Sequence, residues 1–320
     1  MPTTQKLQPR RKIVYHVRNW KAYDRALVKR GSLTLWIDED VRRQWEYAGP
    51  AQRGAQFTYS DMAVEAMLSL KEVFHLPNRA TEGLGRSIVE LLGVDLKVPD
   101  HTTLSRRGKT VQVRLPKKAR GSLHVVLDST GLKVYGDGEW KVRQHGYSKR
   151  RTWRKVHLSV DTDSGEIQAA LLTEAGVHDA EAAPALLDQV EHSLVSVSAD
   201  GAYDRANVYE ALTTHSPDAQ INISPRRDAK IQQHGNSHLP PLPRDENLRQ
   251  IRQQGRAKWK RESGYHRRSL AETAMFRLKT LFGDRLSCRR LDTQASQVGI
   301  RCRVLNHVTH LGKPQSFKVA

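Results

Sequence analysis

The sequence predicts a mixed α/β protein, a five-stranded sheet covered by helices and preceded by a small helical region. Three observations predict it. Between residues 60 and 110, apolar residues recur at helical spacing. From residue 122 onward, short apolar or alternating runs appear, bounded by turn residues. Helical stretches then alternate with the last of those runs, the order expected of strands layered by helices.

In chain order, residues 1–55 are mixed and basic, with one strand-like run, LTLWI. In SDMAVEAMLSLKEVFHLP, Ala63, Ala66, Met67, Leu70, Val73 and Phe74 mark an amphipathic helix that Pro77 ends. RATEGLGRSIVELLG follows, with Leu84, Ile88, Leu91 and Leu92 on one side and Gly93 as its stop. VPDHTTLSRRGK opens a third, short helix at Asp100. Three short helices, the last polar and basic, form the pattern of a helix-turn-helix. Thr103, Arg106 and Arg107 are its candidate DNA contacts, because hydroxyl and guanidinium groups suit phosphates and base edges. A helical connector with a solvated basic face is the alternative.

LHVVLD (123–128) reads as a strand covered on both faces. RKVHLSVD (154–161) alternates, with Val156, Leu158 and Val160 on one side, and turns through Thr162–Gly165 into EIQAALLTE (166–174), a hairpin. Then come a helix (180–193), a strand, LVSVSADG (194–201), a helix (205–215) and a fifth strand, AQINISP (219–225). A polar, proline-bearing, basic stretch, 226–262, leads to a final helix in which Ala271, Met275, Leu278 and Phe282 make a buried stripe.

The composition narrows the partners. The 320 residues are 38% hydrophobic and carry a net charge of +19, which points to a polyanion, most simply nucleic acid. No apolar run approaches the ~20 residues that span a bilayer, and MPTTQKLQPRRKIVYH lacks the apolar centre of a signal peptide. Cys288 and Cys302 form no CxxC pair, which argues against zinc or a disulfide framework. The expectation is a cytoplasmic protein.

The acids fall where chemistry gathers. Asp128 closes the first strand, Asp200 closes the fourth, and Glu272 lies on the final helix. Sites in layered α/β folds collect at the carboxyl ends of strands, so the three carboxylates are expected to converge. An oxygen-only set suits a hard cation such as Mg²⁺ or Mn²⁺, and two such ions about 4 Å apart can hold the attacking and leaving oxygens of a phosphodiester. Each acid also has a plain structural role open to it: a turn cap for Asp128, an Asp-Gly turn for Asp200, a solvated position for Glu272. Asp204 is read as the N-cap of the following helix, His178-Asp179 as a strand-to-helix turn, and His157 as structural. Tyr265, Arg268 and Lys279 fall within about 40° of Glu272 on the helix wheel. Arg268 and Lys279 are expected to face phosphate. The alternative is a row of charged pairs, Arg268–Glu272 being an i,i+4 pair. For Tyr265, stacking on a base and packing at the helix start both stay open.

These residues resemble a known family. YHRRSLAETAMFRLK fits the Tyr-(2)-Arg-(3)-Glu-(6)-Lys signature of bacterial insertion-sequence transposases with an Asp-Asp-Glu site, at Tyr265, Arg268, Glu272 and Lys279. LDSTGLKVYGDGEWKVRQHGYSKRRTWRKVHLSVD is similar to the segment around the first acid, and SADGAYDR to that around the second. The helical stretch before them resembles the insertion sequence 5 family. The likeness covers roughly residues 50–310 and is weakest over 226–262. It implies a ribonuclease-H-like catalytic domain over 119–320, a helical DNA-binding region over 56–118, and two Mg²⁺ ions (Mn²⁺ substituting) on Asp128, Asp200 and Glu272. It implies that double-stranded DNA, as terminal inverted repeats and target, is the partner, and that the protein assembles as a homo-oligomer on it. A nuclease that only hydrolyses, or a DNA-binding regulator derived from a transposase, would share much of this sequence. The three intact acids argue against the regulator.

Two basic stretches flank the presumed site. KVRQHGYSKRRTWRK (141–155) carries Tyr147 and Trp153 beside Arg150 and Arg151, and RQIRQQGRAKWKRESGYHRR (249–268) carries Trp259. Aromatics among cations suit a nucleic-acid strand, so both are expected to line a DNA channel.

Overall fold

The computed structural model describes residues 14–32, 35–51, 53–54, 56–115, 121, 123–135, 152–233, 238 and 241–319. Its centre is a five-stranded sheet in the order β4-β3-β2-β5-β6, built from β2 (Leu123–Tyr135), β3 (Thr152–Asp161), β4 (Ile167–Glu174), β5 (Leu194–Ala199) and β6 (Gln220–Ile223). β2 pairs antiparallel with β3 and parallel with β5, so the expected first and fourth strands are neighbours. A separate two-stranded ribbon joins β1 (Val14–Val17) to β7 (Ser316–Val319).

Helices cover both faces of the sheet. On one side α6 (Asp179–Leu187) and α7 (Ala206–His215) pack with Leu127, Val197, Ala199 and Ile221. The opposite face, with Val126, Leu132, Val156, Leu158 and Val160, packs under α10 (Ser269–Phe282) and α11 (Leu291–Leu311). That second core also takes in α3 (Asp61–Val73), α4 (Asn78–Leu91), α5 (His101–Arg107), and Trp36, Ile37 and Trp45 from the N-terminal region. The helical region therefore shares its core with the sheet.

The helix starts follow the sequence. Ser60 accepts from the Ala63 N–H to begin α3, and Asp100 accepts from the Thr103 N–H at 2.6 Å to begin α5. Gly93, at φ +61°, ends the second helix in the left-handed region that glycine adopts without strain. Among the described residues no helix is long and apolar enough to cross a membrane.

Several expectations need correcting. β2 does not stop at Asp128 but runs to Tyr135. β5 ends at Ala199, yet the free edge is taken over by residues 284–286: Lys133 N–H donates to Asp284 O (2.8 Å), and Leu286 N–H donates to Lys133 O (2.7 Å). Both edges stay paired, so the strand continues. The described part of LTLWI is a turn that buries Trp36 and Ile37, not a strand. Leu91 is exposed, because the buried face of α4 follows Thr81, Gly85, Ile88 and Val89. Asp204 does not cap α7. Its carboxylate is buried and receives Arg226 N–H, Tyr209 O–H and Arg244 Nε–H, tying the 226–244 segment to the sheet. That segment leads into two helices absent from the sequence reading, α8 (Pro243–Gln254) and α9 (Arg256–Glu262).

Candidate active site

The parallel register of β2 and β5 pairs Leu127 with Ala199. The next residues along the two strands are Asp128 and Asp200. Leu127 and Ala199 face the α6–α7 side, so by strand alternation Asp128 faces α10, level with Asp200. Antiparallel pairing sets Leu158 beside Asp128 and Val156 beside Thr130, both against the same helix. Asp200 also holds the 3₁₀ turn Gly201–Tyr203 by accepting from Ala202 N–H at 2.9 Å.

α10 brings the third acid. Ala271, Met275, Leu278 and Phe282 are buried as the periodicity predicts. Glu272, one position away, is left at the rim with a half-exposed side chain. The helix is preceded by the 3₁₀ turn Tyr265–Arg268, entered through Gly264 at φ +69°.

Arg268 links these elements. Its Nη1 donates to Asp128 Oδ2 at 3.1 Å and its Nη2 to Glu272 Oε1 at 2.8 Å. Asp128 Oδ1 accepts from Ser129 N–H at 2.9 Å. Burial pushes the Asp128 carboxyl above its ordinary range, against the Ser129 N–H and the Arg268 charge that pull it down; the charges of Asp200 and Glu272 push it further up. Asp200 and Glu272 thus both lie within electrostatic reach of Asp128. Lys279 Nζ donates to Thr130 Oγ1 at 2.6 Å, two residues along β2 from Asp128.

Beneath the site, on the other face of the sheet, Tyr203 is 1% exposed and its hydroxyl has no hydrogen-bond partner among the described residues. Burial raises its pKa, and the charges of Asp179, Asp128 and Asp200 add to that. His157 is buried as expected, 3.5 Å from Asp179, and burial lowers its pKa to about 4. His178 caps α6 by accepting from Ala180 N–H, which is the turn the sequence predicts.

A family profile described as "Transposase DDE domain" matches residues 119–307, and a second with the same description matches residues 28–137. The first spans more than half of the chain. The protein belongs to the DDE transposase family. A solved structure described as "Cryo-EM structure of piggyBac transposase synaptic complex with hairpin DNA" is similar over 91% of this chain and 77% of that one, at 10% identity and a TM-score of 0.38. That likeness is too distant to carry weight below.

DDE transposases generally use divalent metal ions. The donor chemistry of this transposase suits one: three oxygen-only carboxylates, with the charge on Asp128 disfavoured by burial and by its acidic neighbours, a condition a dication relieves. The Arg268 guanidinium already acts as a cation between two of them. Among the described residues, no three His, Cys, Asp or Glu side chains close on one metal position.

The expected DNA contacts of this transposase fare unequally. Trp259 is fully buried, its ring 5.5 Å from that of Tyr265 and its Nε1–H on Asn247 Oδ1. It is a core anchor of the 226–262 insertion, and no base can stack on it. Tyr265 is buried too, with Lys260 over its ring at 5.1 Å, so packing, not stacking, describes it. Arg107 is buried: its guanidinium donates to Asp61 at 2.6 Å and Tyr59 O at 2.8 Å and lies 4.0 Å over the Phe57 ring. These contacts consume the donors a DNA contact would need. Arg106 is exposed, Thr103 is half-buried, and Trp153 is half-buried on β3 beside Lys133. Arg150, Arg151 and Tyr147 lie outside the described residues. Arg268 faces carboxylates in this structure. The sequence reading missed Thr130 as the partner of Lys279 and Tyr203 beneath the acids; the register of β2 and the Asp-Gly-Ala-Tyr run were the available signals.

Proposed function

We propose that the protein binds the terminal inverted repeats of its own element, cuts the DNA to free a 3′-OH, and joins that end to target DNA. The observation that carries this reading is the bridging of Asp128 and Glu272 by Arg268, with Asp200 beside Asp128 at the end of the neighbouring strand. Water breaks one phosphodiester, leaving a 3′-OH and a 5′-phosphate. The freed 3′ oxygen then forms a bond to a target phosphorus while the target's own P–O3′ bond breaks. No covalent link to the protein forms, so catalysis rests on positioning and charge. Mg²⁺ or Mn²⁺, as two ions held by Asp128, Asp200 and Glu272, would supply activation of the attacking oxygen and stabilisation of the leaving one.

The chain's own residues do the rest. Packing of Met275 and Leu278 against the sheet fixes how far Glu272 reaches. Lys279, held by Thr130, and Arg268 supply positive charge where a phosphate must enter. Arg106 and Thr103 on α5 and Trp153 on β3 are the accessible candidates for further DNA contact. Joining two ends calls for a homo-oligomer on DNA, at work in the cytoplasm on the nucleoid.

The test is a strand-joining assay with a pre-cut end and plasmid target. Joined product with Mg²⁺ or Mn²⁺, lost in Asp128→Asn, is the expected result. Cleavage without any joining would make the protein a hydrolytic nuclease.

A further inference from the structure

Away from the three acids, three cavities share Asn78 and Ser105 and merge into one trough between α3, α4 and α5 on one side and residues 285–290 on the other. The largest alone encloses about 1380 Å³. Its walls carry Lys71, Arg79, Arg106, Lys109, Arg285 and Arg289. None of these six makes an ion pair with a described residue, and all but the half-buried Lys71 are exposed. The sole carboxylate in the lining, Glu72, is spent: it is buried, 2.7 Å from Arg301 Nε and bonded by Gln297. A cleft that gathers so much uncompensated charge needs an extended anion, because like charges crowded together repel unless counter-charge enters.

The trough is also joined to the acids. β2 carries Asp128 and, five residues on, Lys133, whose backbone pairs with Asp284 and Leu286. Val134, Arg285 and Leu286 then form part of the trough wall. Five residues of strand span about 17 Å, or about five nucleotides of one DNA strand at roughly 3.4 Å each. Neutral polar groups in the lining, among them Asn78, Thr102, Ser105 and Thr293, are of the kind that contact phosphate and sugar.

We propose that this trough is a binding site for the sugar-phosphate backbone of duplex DNA, engaging it about five nucleotides from the cut, whatever the sequence. The site rests on the transposase reading above and adds a second, separate grip on the same substrate. It lies where the helical region meets the 285–290 segment, and it uses exposed Arg106 while leaving buried Arg107 to hold α5 in place.

The test is Lys71→Gln, Lys109→Gln and Arg289→Gln together, with a control of equal charge loss, Lys21→Gln, Arg25→Gln and Lys29→Gln. The control residues lie on α1 (Trp20–Lys29), whose Ala26 abuts Gly312 at the opposite end of the 21-residue α11 from the trough, about 30 Å away. Binding of a random-sequence duplex of about 30 base pairs is followed by anisotropy across a salt series. The trough variant should bind on the order of ten-fold or more weakly at ~0.1 M salt, and its slope of log K against log salt should fall by about three. Equal losses in both triples, or no loss in the trough triple, overturn the site. So does trough-dependent capture of phosphatidylserine vesicles with duplex affinity unchanged. A wild-type protein that neither binds nor cuts DNA overturns the transposase reading instead.

Discussion

Two arginine–glutamate pairs sit within the same core and behave oppositely. Arg301 and Glu72 are 4% and 6% exposed and are held from several sides: Arg301 Nη1 reaches Arg285 O at 3.0 Å, and Gln297 adds two bonds to the Glu72 carboxylate. Arg268 is 25% exposed and divides itself between Asp128 and Glu272, on two different elements. The first pair closes a network. The second leaves its carboxylates reachable, with Asp200 beside Asp128 and, among the described residues, in no ion pair. Position alone separates structure from chemistry here: the closed pair joins α3 to α11 inside the core, while the open one stands where β5 ends and α10 begins.

The widest gap between the pairs should appear in activity. Asp128→Asn or Asp200→Asn should lower DNA cleavage by on the order of 10³-fold or more, since even one lost transition-state donor costs about 10²–10³. The melting temperature should not fall in Asp128→Asn, because burial already disfavours that charge. Retained cleavage would place the chemistry elsewhere. Next comes stability. Arg301→Met strands Glu72 in the core and should cost about 3–5 kcal/mol in urea unfolding; a shift under about 1 kcal/mol would make the closed pair no different from the open one.

A third pair sharpens the contrast through pH. Glu65 on α3 pairs with Arg303 on α11, yet burial pushes its carboxyl up to about 7. Its folded value lies above the unfolded one. The stability it contributes is therefore full below about 4.5 and is lost as pH rises through about 7. Glu65→Gln should flatten stability across that window, by on the order of 2 kcal/mol. A wild-type curve that climbs there through this residue would reverse the assignment. The smallest effect belongs to the open arginine. Arg268→Gln should change unfolding free energy by about 1 kcal/mol or less, while Mn²⁺ binding without DNA, read by calorimetry, tightens several-fold as the competing guanidinium goes. Weaker Mn²⁺ binding in that variant would mean the arginine does not compete for the carboxylates.

Much of this site was legible in one dimension. Two short apolar runs that each lead into an aspartate bring those acids together only if the strands neighbour each other, and the strand order puts β2 against β5, although β2 continues past its acid. The stripe Ala271, Met275, Leu278 and Phe282 told which face of α10 is inward, and hence where Glu272 stands. Partner choice was less legible. Arg107, Trp259 and Arg268 each carry groups that suit DNA, and each finds a protein partner, because satisfying a guanidinium or indole inside the fold needs only a distant residue to arrive: Asp61, Asn247, Asp128. α11 was not read from the sequence because its buried face mixes Val298, Cys302, Leu305 and Val308 with Gln294, Gln297, Arg301 and Asn306, so polar residues interrupt the apolar period. Asn306 bonds both backbone groups of Ile167 at the start of β4, a pairing that no local pattern announces.

The continuation of β2 past its first acid has a mechanical consequence. A carboxylate on a loop can drift whenever the loop opens. Asp128 instead belongs to the middle strand of five, with β3 on one edge and first β5, then residues 284–286, on the other. Its backbone cannot wander without tearing the centre of the sheet, so its amide protons belong with the slowest-exchanging, globally protected set. Its position is lost only when the whole domain unfolds, whereas Arg268 and Glu272, more exposed and at the start of the helix above it, are held by fewer neighbours.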